Sequence, residues 1–325
     1  MKKILKFVNK TVFKRDKAFL FFFIIVCLFS RLNSDFFLID ILGQLGFQII
    51  VIGILLFFIL LIYKKFWMSM SCILICLLLT IDILLSCSQC NAFLEDKSLS
   101  YNKIRLITFN TNSNNQLKNF DNLLELILFE KPDIVHLQEV SQRMEDKIKS
   151  LQSSFPYSIG LNKPRGHYDS IILSRHPLIN NKLNDIHAII TSLKLNESEL
   201  NIIAVHLFLG TQTDFNMAKK QMNYVKTLIS DTNKNFILMG DLNMTPSSKR
   251  FTNFLKEANL YTYISYKQPT FTWPTFLPDF FGIQIDHVLF SKNFKLINKK
   301  TVNNLGSDHR LLIVDLAYGD GQNTN

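Results

Sequence analysis

The sequence predicts a mixed α/β domain, a two-sheet sandwich flanked by helices, carried behind a three-helix transmembrane anchor. Three observations predict it. An apolar region with few charges runs from about residue 18 to about residue 90 of the 325. From Lys103 onward, strand-like apolar runs alternate with amphipathic stretches. Several of those strands follow one another with no helix between them, which fits two stacked sheets better than one doubly wound sheet.

The N-terminal region comes first. Residues 1–17 hold Lys2, Lys3, Lys6, Lys10, Lys14, Arg15 and Lys17 against the single acid Asp16. Residues 18–88 then divide into three apolar stretches, at about 18–32, 41–63 and 66–86. The second and third have the roughly 20 residues that a bilayer crossing needs. The first reaches that length only if Lys17 and Arg31 snorkel to the interface. No small-residue cleavage site follows it, which argues against a signal peptide. The basic N-terminus and the Lys64–Lys65 pair should both be cytoplasmic. Three crossings put them on one side, so everything after about residue 90 is expected outside the cytoplasm. Asp82, near the outer end of the third stretch, can reach the interface without any transport role.

Charge and cysteine usage fit this division. The formal net charge is +10, yet residues 1–100 carry 11 basic and 6 acidic residues and the remainder 25 and 20. The excess of the first part is an orientation signal rather than a nucleic-acid footprint, and the modest excess of the second is compatible with an anionic substrate. Cys27, Cys72 and Cys76 lie in apolar stretches as small hydrophobes. Cys87 and Cys90 form a lone C-x-x-C, which suits a local disulfide or free thiols better than zinc. No Cys follows residue 90, as suits an oxidising compartment.

Residues 89–102 read as a linker, 103–317 as the domain and 318–325 as a disordered tail. Within the domain, "KIRLITFN" and "DIVHLQEV" read as strands, with "LKNFDNLLELILFE" a helix between them ending before Pro132. "MEDKIKSLQSSF" reads as a helix. "DSIILSRHP", "DIHAIITSLKL" and "ELNIIAVHLFL" read as strands, "DFNMAKKQMNYVKTLI" as an amphipathic helix, and "NFILMGDLN", "IQIDHVLFS" and "HRLLIVDL" as further strands.

Chemistry collects where these strands stop. Asn110 and Asn112 follow "LITF", Glu139 follows "IVHLQ", Ser174 and Arg175 follow "SIIL", and His206 follows "IIAV". Asp241 and Asn243 follow "FILMG", Asp286 interrupts "IQIDHVLF", and Asp308 and His309 precede "LLIV". A polar side chain that breaks a buried strand is costly unless satisfied, and seven recurrences exceed what isolated structural hydrogen bonds explain. Carboxylates with Asn and His, and no Cys, suit a hard divalent cation that shares its oxygen ligands with phosphate. Phosphoryl transfer needs charge stabilisation, an oriented water and support for the leaving group, which these side-chain types supply.

The ordered pieces "TFN", "LQEV", "ILSRHP", "VHL", "GDLNMTP", "TW", "IDHVLFS" and "GSDHRLL" resemble the endonuclease/exonuclease/phosphatase (deoxyribonuclease I-like) superfamily over roughly residues 103–317. The chain would be a membrane-anchored member of bacterial type. The resemblance implies a four-layer α-β-β-α sandwich with the site where the strand ends of the two sheets meet. It implies Glu139 as principal metal ligand, with Asn110 nearby and Asp308 contributing to the ion or its water shell, the ion being Mg2+ or Mn2+. Asp241 would orient or deprotonate the attacking water, and Asn243 would hold a phosphate oxygen. His309, oriented by Asp286, would stabilise charge on the phosphate, and His206 would be the second imidazole. Asn112, Arg175, Lys219 and Trp273 are candidate substrate contacts, with Arg175 also readable as a structural fork. Asp169 is a candidate partner for His206. His136 and His287 read as structural.

Two departures bear on substrate. Lys219 and Lys220 stand before Gln221 where relatives often have Arg, and Lys cannot make the bidentate phosphate contact. No long basic insertion for gripping duplex DNA is present. Instead "TFTWPTFLPDFFG", residues 270–282, reads either as a self-packed loop or as an aromatic surface for a base or a lipid. The expected function is hydrolysis of phosphodiesters by an activated water, nuclease-like first, with a phospholipid, sphingolipid or inositol-phosphate phosphoesterase as the alternative. A catalytically silent scaffold is the rival from another class, and the intact set Glu139, Asp241, Asn243, Asp286, Asp308 and His309 argues against it.

Overall fold

The computed structural model describes residues 17–33, 36–92, 99–114, 117–162, 169–184, 188–195, 198–209, 215–230, 235–265 and 269–323. The basic segment 1–16 and residues 93–98 of the linker lie outside them. The chain forms two compact units, Met1–Ser88 with Thr245–Asn253, and Gln89–Met244 with Phe254–Asn325. Cys87 and Cys90 are disulfide-bonded, whereas Cys27, Cys72 and Cys76 are free.

The first unit holds four apolar helices, α1 (Lys17–Phe29), α2 (Phe37–Gln44), α3 (Gly46–Ile62) and α4 (Phe66–Leu85). Phe23, Cys27, Ile49, Cys72, Cys76 and Leu79 form a core shared by α1, α3 and α4. The packing is close at Gly53, where an added Cβ would lie 2.2 Å from Cys76 Sγ and 2.5 Å from Phe23 Cζ. Large apolar side chains such as Phe22, Leu55 and Leu85 remain exposed on the outside. By length and composition α4 can cross a membrane. The α2–α3 pair passes the same test together but bends by 70° at Leu45, and α1 is shorter than a span. The apolar run 41–63 is therefore broken near its start, where Gly43 and Gly46 bring the backbone close to the 245–253 segment.

That segment is tied to the helices by polar contacts. Thr245 N–H donates to Gln44 Oε1 at 2.6 Å, and Thr245 Oγ1 donates to the Gln44 carbonyl at 2.8 Å. Ser247 Oγ donates to the Gly43 carbonyl at 3.0 Å. Asp82 is paired with Arg31 and, at 3.3 Å, with Lys249. Arg250 and Asp40 pair at 3.4 Å with side chains only 11% and 7% exposed. A charge pair so far removed from water holds only because both partners are present.

The second unit is built on two sheets. One has the order β10-β11-β1-β2-β4-β3, the other β5-β6-β7-β8-β9. The strands are β1 (Leu99–Asn110), β2 (Ile134–Gln138), β3 (Tyr157–Ile159), β4 (Ser170–Ser174), β5 (Leu178–Asn184), β6 (Ala188–Leu195), β7 (Ser198–His206), β8 (Phe236–Asp241), β9 (Asp286–Phe290), β10 (Phe294–Val302) and β11 (Leu311–Asn323). The helices are α5 (Phe120–Glu130), α6 (Gln142–Ile148) and α7 (Phe215–Ser230), with α8 (Lys249–Glu257) beginning in the first unit's segment and ending in this one. β11 thus runs through the expected tail, pairing Asn323 with Leu99.

Alternation along the strands makes the layers. Ile104, Leu106, Ile134, Ile172, Leu312 and Val314 face Ile189, Ile202, Ala204, Ile237, Met239 and Val288 of the other sheet in one core. The intervening Ile107, Phe109, Val135, Leu137, Ile171 and Ile313 pack against Phe120, Leu123 and Ile127 of α5 and Met144 and Ile148 of α6 in another. On α7, Ala218, Met222, Val225 and Ile229 recur at helical spacing and are buried. Burial on both faces explains why the strands read as near-continuous apolar runs.

Two parallel pairs position the chemistry. β1 runs parallel to β2 and β7 parallel to β8, while the remaining pairs are antiparallel. In register, Asn110 stands opposite Gln138, His206 opposite Asp241, and Asp241 opposite Asp286. The C-terminal ends of β1, β2, β7 and β8 and the start of β9 therefore carry the polar residues singled out in the sequence.

Candidate active site

The site is organised around the buried carboxylate of Asp241. Its Oδ1 accepts the Asn243 N–H at 2.9 Å, and its Oδ2 accepts Asn110 Nδ2–H at 3.2 Å. The same Oδ2 lies 3.7 Å from His206 Nε2 and 3.9 Å from His309 Nε2. Burial, reinforced by the neighbouring Asp286 carboxylate, pushes Asp241 up to about 7. A carboxylate so poised can exchange a proton near neutral pH.

Glu139 sits beside it at the end of β2 with φ 51°, in the left-handed region. Its Oε1 accepts Asn110 Nδ2–H at 3.0 Å and lies 3.8 Å from His206 Nε2. Its Oε2 accepts from the Ser113 N–H at 3.2 Å and from Ser113 Oγ at 3.3 Å. Asn110, a candidate neighbour of the ion, accepts the Asn112 N–H on its amide oxygen at 3.0 Å. Its amide N–H group lies between Glu139 and Asp241 and donates to both, as two neighbouring carboxylates need a donor between them.

His309 is held at both ends. Its Nδ1–H donates to Asp286 Oδ2 at 2.9 Å, and its backbone N–H donates to Ser307 Oγ at 3.0 Å. Ser307 Oγ in turn donates to the Asn110 carbonyl at 2.7 Å, joining the starting turn of β11 to the end of β1. Thr272 Oγ1 accepts the backbone N–H groups of Ile285 and Asp286, at 3.0 and 3.1 Å, and so fixes Asp286. Burial alone would lower the imidazole, but the Asp286 carboxylate outweighs it and raises His309 to about 9. This charge pair contributes its full stabilisation below the ordinary imidazole range and loses it as pH rises through about 9. In Asp286→Asn, Asp241 and Asp308 still favour the charged ring, but the largest counterweight to burial is gone. NMR titration should then show the His309 ring losing its proton at clearly lower pH than about 9. An unmoved titration would remove Asp286 from this role.

Asp308 completes this wall. Its Oδ1 accepts Asn112 Nδ2–H at 2.8 Å and its Oδ2 accepts the Trp273 indole N–H at 3.0 Å. Asn243, with φ 49°, donates one amide N–H to the Leu207 carbonyl at 2.9 Å. Gln221 of α7 accepts the Phe208 N–H at 2.7 Å, bracing the chain after His206. Lys219 is half-buried two residues earlier.

The structure separates Arg175 from this group. β4 is antiparallel to β2, Ser174 pairs with Ile134, and the Arg175 N–H donates to the Asp133 carbonyl at the opposite end of the sheet from Glu139. Its guanidinium lies 5.2 Å over the Phe155 ring. Asp169 offers its backbone carbonyl to the Val140 N–H. His136 and His287 are buried, the latter with Nε2 2.8 Å from the Met244 carbonyl, and burial pushes both down to about 3. Ser113 was not anticipated, because a short polar residue in a loop carries no pattern of its own, and Thr272, the first residue of "TW", is given no role by the resemblance. A cleft of about 490 Å³ opens on Lys103, Asp133, His176, Lys194 and Tyr318, and it contains none of the residues named above for the site.

Residues 107–309 match the Endonuclease/Exonuclease/phosphatase family. The chain belongs to this family. Solved structures agree on the fold. An Endonuclease/Exonuclease/phosphatase family protein from Leptotrichia buccalis is 17% identical with a TM-score of 0.53, over 66% of this chain and 100% of its own. TDP2 from D. rerio complexed with a single-strand DNA product is 17% identical with a TM-score of 0.54, over 66% and 98%. Beta toxin from Staphylococcus aureus is 16% identical with a TM-score of 0.51, over 65% and 99%. No sequence among curated proteins matches significantly. Membership makes the domain a phosphoester hydrolase of the endonuclease/exonuclease/phosphatase type.

The family's divalent metal can be tested against the residues present. Asp241, Asp286 and His309 offer ligand atoms within 4.8 Å of one another. His309, charged up to about pH 9, already supplies that cluster with a cation. Glu139, with Asp308 on the neighbouring wall, offers oxygen donors of the kind a hard cation takes. Asp286 Oδ1 is buried with no hydrogen-bond partner, a further sign that the site is built for more positive charge than its protein atoms provide.

Proposed function

We propose that this chain is a membrane-anchored, divalent-metal-dependent phosphodiesterase. The observation that carries the chemistry is Asp241 Oδ2, flanked by the His206 and His309 Nε2 atoms at 3.7 and 3.9 Å and by the Asn110 amide. Magnesium or manganese, held at Glu139 with Asp308 and Asn110 beside it, would supply charge on the phosphate oxygens. Asp241 accepts the proton of the attacking water. His309, kept protonated by Asp286, donates from Nε2 to a phosphate oxygen as negative charge develops, and His206 faces the same space. Asn243 holds a second phosphate oxygen, while Asn112 and Trp273 orient Asp308. Attack is in line with the leaving oxygen.

The anchor is proposed as spans at about 18–32, 41–63 and 66–86, with the N-terminus cytoplasmic and the catalytic domain on the extracytoplasmic side. The length of α4, the apolar α2–α3 pair and the placement of Lys64 and Lys65 support it. Nucleic acid and a lipid headgroup are the two candidate substrate classes, and the exposed apolar side chains of residues 270–282 favour the second.

The test is Glu139→Gln in the full chain. Manganese binding read by electron paramagnetic resonance should weaken at least tenfold, and hydrolysis of bis(p-nitrophenyl) phosphate should fall by about 10² or more. Parental binding in the variant would remove Glu139 as the ligand. Failure of the parent to hydrolyse the diester with metal present would remove the function. A cysteine introduced into the domain should react with an impermeant label on intact cells, and protection would reverse the topology.

A further inference from the structure

The loop at residues 270–282 is clipped onto the active-site turn. Arg310 N–H donates to the Thr272 carbonyl at 2.8 Å, and Thr275 N–H donates to the Asp308 carbonyl at 2.9 Å. Thr275 Oγ1 donates to the Ser307 carbonyl at 2.9 Å, and the Trp273 indole to Asp308 Oδ2 at 3.0 Å. Farther along, Arg310 Nη2 donates to Asp279 Oδ1 at 2.6 Å. Pro274 and Pro278 restrict the backbone on either side of the tip. A loop held at so many points nevertheless leaves Phe276 74%, Phe281 50% and Leu277 39% exposed. Core packing does not account for three large apolar side chains left exposed within one short loop bonded to the Ser307–Asp308 turn.

Charge selects the partner. Asp279 is the only ionisable side chain in residues 270–282, and Arg310 binds its carboxylate. Surfaces for single-stranded nucleic acid pair aromatic platforms with Lys and Arg that follow the phosphates, and this loop supplies neither cation. A bilayer interface asks for none, because Phe and Leu enter the headgroup–acyl boundary through their apolar area. The same chain carries α4, long and apolar enough to cross a bilayer.

The geometry points to a lipid-contacting wedge formed by Phe276, Leu277 and Phe281, with the scissile phosphoester belonging to a lipid headgroup at the bilayer surface. This rests on the phosphodiesterase reading above. The wedge would hold the interface against the wall formed by Trp273 and Asp308, so that a headgroup phosphate enters the site without its acyl chains leaving the membrane.

The test uses the full chain in nanodiscs of phosphatidylcholine, phosphatidylglycerol and sphingomyelin. Phe276→Trp, in a Trp67→Phe background, should be quenched by acyl-brominated phosphatidylcholine at least twofold more than the background protein. Equal quenching overturns the wedge, as does quenching by a single-stranded oligonucleotide in place of the lipid. In Phe276→Ser/Phe281→Ser, phosphate-headgroup release from the nanodiscs should fall at least tenfold while bis(p-nitrophenyl) phosphate hydrolysis stays within twofold of the parent. An equal fall on both substrates overturns the proposal. No headgroup release by the parent from any of the three lipids overturns the substrate assignment. A parent inert toward the soluble diester instead sinks the phosphodiesterase reading, while the quenching still decides the wedge.

Discussion

Asp241→Asn is expected to lower kcat/KM for bis(p-nitrophenyl) phosphate by about 10³, within the range that general-base removal produces and equivalent to about 4 kcal/mol of barrier. The substitution changes shape by almost nothing. The amide oxygen can still accept the Asn243 N–H that Asp241 Oδ1 accepts now. What disappears is the basic oxygen between His206 and His309, and with it the acceptor for a proton from water. Burial holds this carboxylate near 7, so parental activity should rise with pH through about 7 as the group ionises. That limb should be absent from whatever activity remains in the variant. Stability should move the other way. Removing a buried charge relieves its desolvation cost, so the melting temperature of the full chain should hold or rise. A fall in melting temperature together with activity would assign Asp241 a structural role. A rate within tenfold of the parent would dismiss it as the base.

How much of this site could be read from the chain depends on strand direction. Asn110, Glu139, His206 and Asp241 close apolar runs, and in each sheet the two strands that bear them run in the same sense because β1–β2 and β7–β8 are parallel pairs. The rule that polar residues follow the strand therefore located them. Arg175 obeys the same local rule and lies elsewhere, because β4 is antiparallel to β2 and its end is the other end of the sheet. An apolar run of five residues carries no sign of its direction. Asp286, Asp308 and His309 precede or open their strands; they stand out as polar breaks beside apolar runs, and the family resemblance supplies their roles.

Other elements escaped for different reasons. β10, "FKLINKKTV", is an edge strand bearing Lys295, Lys299 and Lys300, so its charge masks the alternation of buried Phe294 and Leu296. The bend at Leu45 is invisible in "ILGQLGFQIIVIG", since hydropathy registers neither the turn nor the Gln44 contacts that satisfy it. The polar links from Thr245, Ser247 and Arg250 to Gln44, Gly43 and Asp40 span some 200 residues of sequence. No local pattern encodes a contact of that range.

Gly240→Ala is expected to do the most damage to folding of any single methyl addition at the site. Gly240 has φ 141°, a conformation that only glycine adopts readily. A Cβ there would stand 1.8 Å from the Val205 carbonyl oxygen and 3.1 Å from His136 Cε1. The oxygen cannot step aside cheaply, because Val205 is the in-register partner of Gly240 within the β7–β8 ladder. Moving it would also displace the next pair along, His206 and Asp241. His136 is no softer, being enclosed between the sheets with Nδ1 2.6 Å from the Gln138 amide. Strain and overlap together should cost more than about 4 kcal/mol, at the extreme of single substitutions. Gly319→Ala is the matched control. Its φ of 84° is also left-handed, but the nearest atom to the added carbon would be Asn102 Nδ2 at 3.6 Å, so only the conformational cost of about 1 kcal/mol applies. Folded yield and melting temperature of the two variants separate the terms. Gly319→Ala should accumulate near parental levels with a melting point a few degrees lower, whereas Gly240→Ala should fail to accumulate as folded protein. Comparable yields for both would mean that the β7–β8 ladder gives way at its C-terminal end. In that case His206 and Asp241 could not be held rigidly enough to keep their 3.7 Å spacing.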